Sequence, residues 1–157
     1  MRFEIPQPLQ QEHEELHDEL RQATQAGGEV GDAAKTLAQL MHPHFVKEDE
    51  IALPPLALLS VLAEGEVTPA MAGVLELTDR LQAELPAMLA EHKTIVAALA
   101  RLQQAAERAG RDDIVEFANK LTLHALTEEQ VMYPAALLVG KYVRQQLAQT
   151  EAAPVAA

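Results

Sequence analysis

The sequence predicts an all-α protein, an up-down four-helix bundle with additional short helices that is built from a duplicated helix pair. Aromatic residues make up only 3% of the chain, with no Trp, two Tyr and three Phe. A core of Ala and Leu suits packed helices better than sheets, which favour aromatic and β-branched residues. Apolar residues also recur at helical spacing, and two stretches of the chain repeat each other.

A single domain is expected over residues 1–157, because a chain of 157 residues with 48% hydrophobic residues can bury one sizeable core. We expect that core to span about 8–148. The tail over 150–157 is expected to be frayed.

The first helix is predicted over 9–26, where apolar residues and His13 share one face at i, i+4, i+7 and i+11 spacing. Asp32 is a good N-cap for a second helix that runs to about Leu53. Pro43 lies inside this second helix and is expected to kink it, and the two prolines after Leu53 are expected to stop it.

Residues 56–67 are expected to form a short apolar piece and a turn. Thr68, followed by a proline, predicts the start of a helix that reaches about Leu85. Pro86 is expected to kink the chain or to restart it as a long helix that ends near Gly110.

An aspartate at 112 or 113 is expected to cap the next helix, which reaches Tyr133 and is broken by Pro134. Residues 135–149 predict a last, less regular helix.

Charge and composition exclude several classes of partner and site. The formal net charge is −12, so an acidic chain without a basic cluster disfavours nucleic acid and anionic membrane surfaces as partners. The absence of cysteine excludes disulfides, thiolate metal sites and iron–sulfur clusters. The N-terminal residues contain no apolar signal core, which predicts a cytoplasmic protein. The longest apolar stretch, over 51–63, is short and interrupted by prolines, so it cannot span a bilayer.

The internal repeat carries the chemistry. Residues 44–54 (HFVKEDEIALP) and 124–134 (HALTEEQVMYP) align without gaps. Both begin with His, have Glu four residues later, continue with a second acid and end in Pro. Each is preceded by a helix with its own histidine, His13 in the first repeat and His92 in the second, at spacings of 31 and 32 residues. The chain is therefore a helix pair that occurs twice.

Residues four apart on a helix project from one face, so each repeat presents an imidazole and a carboxylate together. Four imidazoles and two carboxylates that face the interior of a four-helix bundle predict a two-metal site. Such ligands suit iron, manganese or zinc. The predicted metal ligands are His13, His44, Glu48, His92, His124 and Glu128.

These motifs resemble the hemerythrin-like, or HHE cation-binding, domains over roughly residues 8–148. That family has one His, then His-x-x-x-Glu, and then the same two elements again. The resemblance implies a non-heme di-iron centre in which Glu48 and Glu128 bridge the two irons, with an oxo or hydroxo group as a further bridge. It also implies that the histidines divide by repeat, one iron being held by His13 and His44 and the other by His92 and His124.

The sequence departs from the oxygen-carrying hemerythrins in two ways. Those proteins have a second His one turn along the third helix, where Met88 and Val96 stand here, and an Asp in place of Glu128. With four histidines, the site fits simple oxygen transport less well than it fits the subgroup linked to iron sensing, nitric-oxide chemistry and repair of damaged iron centres. Repair proteins usually carry a cysteine-bearing N-terminal part, so the absence of cysteine weakens that role.

Two functions from different classes follow. One is a module that binds or senses dioxygen, nitric oxide or iron. The other is a di-iron redox enzyme that reduces nitric oxide or peroxide, or repairs iron centres.

A third interpretation comes from residues 13–17, which read HEELH and match the HExxH pattern of zinc metallopeptidases. His13 and His17 would then bind zinc, with Glu14 as the general base. This alternative needs a third ligand and usually an edge strand, and it leaves the repeated motifs without a role.

Several residues near the predicted ligands are expected to lie outside the site. His17 is expected to be a surface residue or a neighbour of the ligands. Asp49 and Glu91 are expected to belong to solvated faces, with hydrogen bonding to the ligands as the alternative. Tyr133 could reach toward the site, but packing in the core is the expected role, because its counterpart in the first repeat is Leu53.

Overall fold

The computed structural model describes residues 2–152, apart from the side chain of Glu151. Four long helices form the bundle: α1 (Gln7–Thr24), α2 (Gly28–Lys47), α4 (Val74–Ala109) and α5 (Asp112–Thr127). Two further helices are α3 (Leu59–Ala63) and α6 (Tyr133–Ala152). The residues described contain no strand, and the all-α bundle expected from the sequence is confirmed.

The first helix pair is joined by a short glycine turn. Gly27 and Gly28 have φ angles of 73° and 56°, a left-handed conformation that glycine adopts without steric penalty. Because the chain turns so tightly, α2 begins at Gly28, and the expected N-cap at Asp32 is wrong. Pro43 lies inside α2, as expected.

Both α2 and α5 continue into a π turn, Glu48–Ala52 in the first repeat and Glu128–Met132 in the second. In the first, the N–H of Leu53 donates to the carbonyl of Glu48, five residues earlier, at 3.0 Å. A proline follows each π turn after one residue, as Pro54 follows Leu53 and Pro134 follows Tyr133. Proline has no N–H, and its ring crowds the carbonyl four residues before it in an α-helix. A π turn contains one more residue than an α turn and so relieves this steric clash.

Proline interrupts the helices less than its positions in the sequence suggest. The helix α4 runs without a break through Pro86, so the expected restart there is wrong. Leu81 and Met88, on either side of this proline, are both fully buried in one apolar cluster, which holds the helix together. Likewise, Pro134 lies in the first turn of α6, where a missing N–H leaves no bond unmade, and does not break the chain.

The remaining segments are short. A 3₁₀ helix over Pro54–Leu58 leads into α3, and a second one over Pro69–Gly73 leads into α4. The N-cap of α5 is Arg111, so the expected cap at Asp112 or Asp113 is wrong. Both aspartates lie in the first turn, where their negative charge interacts favourably with the helix dipole. The helix α6 continues to Ala152, and the rest of the tail expected to be frayed lies outside the described residues.

Two apolar clusters lie on either side of a polar layer, and a third contains Leu58, Met71, Val74, Val139 and Val143. The large cluster contains, among others, Leu16, Phe45, Ile95 and Leu121. The small cluster contains, among others, Ile51, Met88, Met132 and Tyr133. Along α2 and its π turn, along α4, and along α5 and its π turn, the predicted metal ligands lie between residues of the large cluster and residues of the small cluster. The fold therefore brings the ligands of all four helices to one depth.

No helix within residues 2–152 has both the length and the apolar character that a bilayer crossing requires.

The packing of α6 on α4 depends on Gly140. A Cβ atom added to Gly140 would lie 2.6 Å from the Cβ of Thr78, far inside van der Waals contact. Thr78 is buried at 4% exposure in the second turn of α4, so it has little room to move away.

We expect Gly140→Ala to lower the free energy of unfolding by about 1–3 kcal/mol, because α6 must move away from α4 to admit the methyl group. Urea unfolding followed by circular dichroism measures the change. Gly73→Ala is the control, since its new Cβ would lie 3.4 Å from the ring of Phe3, close to ordinary contact. Equal stability of Gly140→Ala and the parent chain would contradict the close packing.

Candidate metal centre

All six predicted ligands lie in the polar layer and are almost completely buried. The exposed fraction is 4% for His13 and His124, 2% for His44, His92 and Glu128, and 0% for Glu48. One histidine comes from each bundle helix, and each glutamate opens a π turn. The sequence therefore predicted which side chains meet in the interior.

The four imidazoles form two pairs. The Nε2 atoms of His13 and His124 are 3.1 Å apart, and those of His44 and His92 are 2.7 Å apart. We call these the 13/124 pair and the 44/92 pair. Each close pair joins rings of different repeats, whereas the resemblance implies a division by repeat. Which rings would share an iron stays a prediction.

The two glutamates lie between the pairs and offer one oxygen to each. Glu128 places Oε1 2.8 Å from Nε2 of His124 and Oε2 3.4 Å from Nε2 of His92. Glu48 places Oε1 3.1 Å from Nε2 of His44 and Oε2 3.9 Å from Nε2 of His13. Two groups of possible ligand atoms result, one of His44, Glu48, His92 and Glu128 and one of His13, His124 and Glu128.

A second carboxylate stands behind every imidazole, at its Nδ1 atom. The distances from Nδ1 to the nearest oxygen are 3.1 Å for His13 and Asp49, 2.7 Å for His44 and Glu91, 2.9 Å for His92 and Glu129, and 3.2 Å for His124 and Glu12. The first three meet hydrogen-bond geometry, and the fourth is an ion-pair contact only. Asp49 and Glu91 thus contact the ligands, and their assignment to solvated faces is wrong.

These outer carboxylates follow the repeat, and the sequence contains a signal for them. An acid directly precedes the first histidine of each repeat and contacts the second histidine of the other repeat. Glu12 thus contacts His124, and Glu91 contacts His44. Another acid directly follows each glutamate, as Asp49 and Glu129 do, and contacts the first histidine. Such carboxylates fix the orientation of a ligating imidazole and its proton.

The donor set fits a metal ion, by two observations. A carboxylate at Nδ1 favours the ring proton there, so two neutral imidazoles of a pair would direct their Nε2 lone pairs at each other. A cation, either a proton or a metal ion, must lie between them to remove the repulsion. In addition, Oε2 of Glu48 is buried without a hydrogen-bond partner among residues 2–152. Such an atom is costly to bury unless it binds a cation.

The ionisation of the metal-free layer follows from the same contacts. Burial lowers the pKa of His13, but hydrogen bonds to Asp49 and Glu128 and the charge of Glu48 outweigh it and raise the pKa to about 10. Burial likewise lowers the pKa of His92, yet hydrogen bonds to Glu128 and Glu48 raise it to about 10. Burial lowers the pKa of His44 and His124 as well, but hydrogen bonds and the charges of Glu48 and Glu128 outweigh it and raise the pKa. At least one imidazole of each pair therefore holds a proton where a metal ion would bind.

Glu128 stays ionised in this layer. Burial raises its pKa, but hydrogen bonds from His124, His13 and His92 outweigh burial and hold the pKa well below the ordinary value. The carboxylate thus keeps the charge that a bridging ligand needs.

Tyr133 enters the polar layer, and the expectation that it only packs in the core is wrong. Its hydroxyl donates a hydrogen bond to Oε1 of Glu48 and lies 3.2 Å from Nε2 of His92. Burial and the negative charges of Glu48 and Glu128 raise the pKa of Tyr133 far above its usual value, so the phenol stays protonated. The repeat could not predict this contact, because the related position in the first repeat is Leu53, which has no hydroxyl.

His17 does not join the ligands, as expected. Its ring is partly buried and packs on Phe45 with 4.2 Å between ring centroids, and it belongs to neither group of possible ligand atoms. Glu14 of the HEELH segment is exposed. The geometry of the peptidase alternative, with His13 and His17 on one zinc ion, is therefore not present in residues 2–152.

Metal binding is expected to release protons. At pH 8 the pKa values near 10 keep His13 and His92 protonated, so binding of zinc should release at least one proton from each pair. The apparent affinity should fall as the pH falls, since protons then compete better. A pH indicator in weakly buffered solution measures the release. His17→Ala should release as many protons as the parent chain, and binding without proton release would contradict the assigned ionisation.

Removal of an outer carboxylate is expected to weaken metal binding without abolishing it. Glu91→Gln should lower the affinity for zinc about 10–100-fold, because His44 loses the charge that orients it. Competition with a chromophoric chelator measures the affinity. Glu84→Gln is a matched control, since Glu84 also pairs with Lys47, at 3.6 Å, but contacts none of the four imidazoles. Equal losses in both variants would show that Lys47, and not His44, mediates the effect.

Comparison with known proteins agrees with this site. The sequence model described as "Hemerythrin HHE cation binding domain" matches residues 5–136 and residues 83–150 of the chain. No curated protein and no solved structure matches the chain significantly. The first match alone covers most of the chain and all six buried ligands. The chain therefore belongs to the hemerythrin HHE cation-binding domain family.

Proposed function

We propose that this protein holds a non-heme di-iron centre and uses it to bind or sense a small molecule, either dioxygen or nitric oxide, or iron itself. The six ligands would be His13, His44, Glu48, His92, His124 and Glu128. The observation that carries the proposal is the pair of glutamates, each with one oxygen toward the 13/124 pair and the other toward the 44/92 pair. A carboxylate in that position bridges two ions.

The charges of the layer support two divalent ions. Four neutral imidazoles and two carboxylates leave a net positive charge on two such ions, and the four outer carboxylates at Nδ1 offset it. Nitrogen and oxygen ligands without thiolate suit iron and also manganese or zinc, and the family favours iron.

When bound, a pair of irons supplies one-electron redox chemistry and an open position for a small ligand. The chain's own residues prepare that position. The outer carboxylates hold the four imidazoles with Nε2 inward, and the two apolar clusters keep bulk water away from the layer. Tyr133 holds Glu48 through Oε1 and keeps its proton inside the layer.

The second candidate is a di-iron redox enzyme that reduces nitric oxide or peroxide. Tyr133 favours it, because its hydroxyl, 3.2 Å from Nε2 of His92, is a buried hydrogen-bond donor that can stabilise negative charge developing on a bound substrate. Repair of iron centres has no such support in the site. The cytoplasmic location stays a prediction from the sequence.

The proposal is tested first by metal content. Protein purified without chelator should contain two irons per chain by plasma mass spectrometry, with near-ultraviolet bands of a bridged iron pair. Titrations with nitric oxide and dioxygen under turnover conditions then separate sensing from reduction, since only the enzyme consumes its ligand. A single zinc per chain with a featureless spectrum would support the peptidase. No metal, even after anaerobic reconstitution with ferrous iron, would overturn the proposal.

Substitution of either glutamate is expected to remove both metals. Glu48→Ala or Glu128→Ala would take away a carboxylate that the proposed bridging shares between both ions, so neither position would keep a complete set. His17→Ala and Glu50→Ala are controls, since His17 is outside both ligand groups and Glu50 is an exposed neighbour of the site. Metal content and circular dichroism are measured together. Full metal retention in both glutamate variants would exclude bridging.

A further inference from the structure

One surface cavity reaches the metal layer. It has a volume of about 500 Å³, and His13 forms part of its wall, together with Gln10 and Asp49. Residues 2–5 of the N-terminal segment also line it. Four other surface cavities, of about 390 to 580 Å³, are lined by none of the six ligands. We call the first one the open cavity.

The repeat places a second cavity at the related position of the other half. It has a volume of about 390 Å³. Related residues of α1 and α4 are 79 positions apart, as His13 and His92 are. Related residues of the two π turns are 80 positions apart, as Glu48 and Glu128 are. Leu89, Glu129 and Pro134 of this cavity thus correspond to Gln10, Asp49 and Pro54 of the open cavity. We call it the closed cavity.

The two cavities differ in what lies at their inner end. His13 lines the open cavity, whereas His92 does not line the closed one. Tyr133 lines the closed cavity instead, is only 1% exposed, and stacks on the ring of His92 with 5.7 Å between centroids. The first repeat has Leu53 at this position, which is absent from the lining of the open cavity. Tyr133 therefore separates the closed cavity from the 44/92 pair.

We propose that small ligands enter the centre from one side only, through the open cavity, and bind on the 13/124 half, while Tyr133 closes the 44/92 half. This inference rests on the proposed function, since it assigns the ligand site of that centre.

The lining of the open cavity selects for uncharged molecules. Glu4, Glu14 and Asp49 contribute three carboxylates, against the single guanidinium of Arg2. A net negative lining repels anions, so nitric oxide, dioxygen and hydrogen peroxide are the chemical class that it admits.

A matched pair of variants tests the route. In Gln10→Trp/Glu14→Trp, two indoles one helical turn apart fill the open cavity. Leu89→Trp/Lys93→Trp makes the same change at the repeat-related positions beside the closed cavity. The parent and both variants are loaded with ferrous iron under anaerobic conditions, and their metal content is measured. The association rate of nitric oxide is then followed by stopped-flow absorption.

We expect the open-cavity variant to keep both metals and to bind nitric oxide at least about tenfold more slowly, while the closed-cavity variant keeps the parent rate. A third variant adds Tyr133→Leu, the residue of the first repeat, to the blocked open cavity. It should recover much of the lost rate, because the other side then opens.

Each other result has a distinct meaning. Failure of the parent chain to bind two metals overturns the proposed function. Two bound metals with no nitric-oxide signal, an unchanged rate in the open-cavity variant, or an equal slowing in both double variants overturns the one-sided entry and leaves the proposed function in place.

Discussion

The structure depends on one constraint: a layer of four imidazoles and two carboxylates is buried between two apolar clusters, and its charges must be balanced there. A buried carboxylate without a partner costs several times what an ordinary hydrogen bond contributes. The chain balances the layer with protons on at least one imidazole of each pair, and metal ions would replace those protons. The outer carboxylates then complete the balance from the rim, where they stay in contact with water.

The π turns and their prolines are part of the same solution. Each π turn begins at the glutamate that points into the layer, and the acid that follows reaches a histidine of a neighbouring helix from outside. One short stretch thus supplies an inner and an outer carboxylate to different helices. That both repeats combine Glu, a second acid and a proline six residues after the Glu shows the pattern to be a property of the site, not of one helix end.

The sequence contained enough to predict the helices and the residues that meet in the interior, because both follow from local spacing and from the repeat. It was insufficient where a contact depends on which helices become neighbours. The cross-repeat imidazole pairs and the position of Tyr133 are of this kind. Helix ends were also misplaced: the prolines at 86 and 134 suggested breaks, but tertiary packing and first-turn geometry accommodate them. That the six residues bind metal stays a prediction.

The cross-repeat pairing of the imidazoles has a consequence for how such a chain is held together. Neither helix pair contains a complete pair of facing rings, so an ion in either position would tie one half of the molecule to the other. Bound metal would act as a cross-link between two pieces that the polypeptide joins only through residues 53–73. A duplicated architecture of this type could be cut in that connection and still reassemble in the presence of metal.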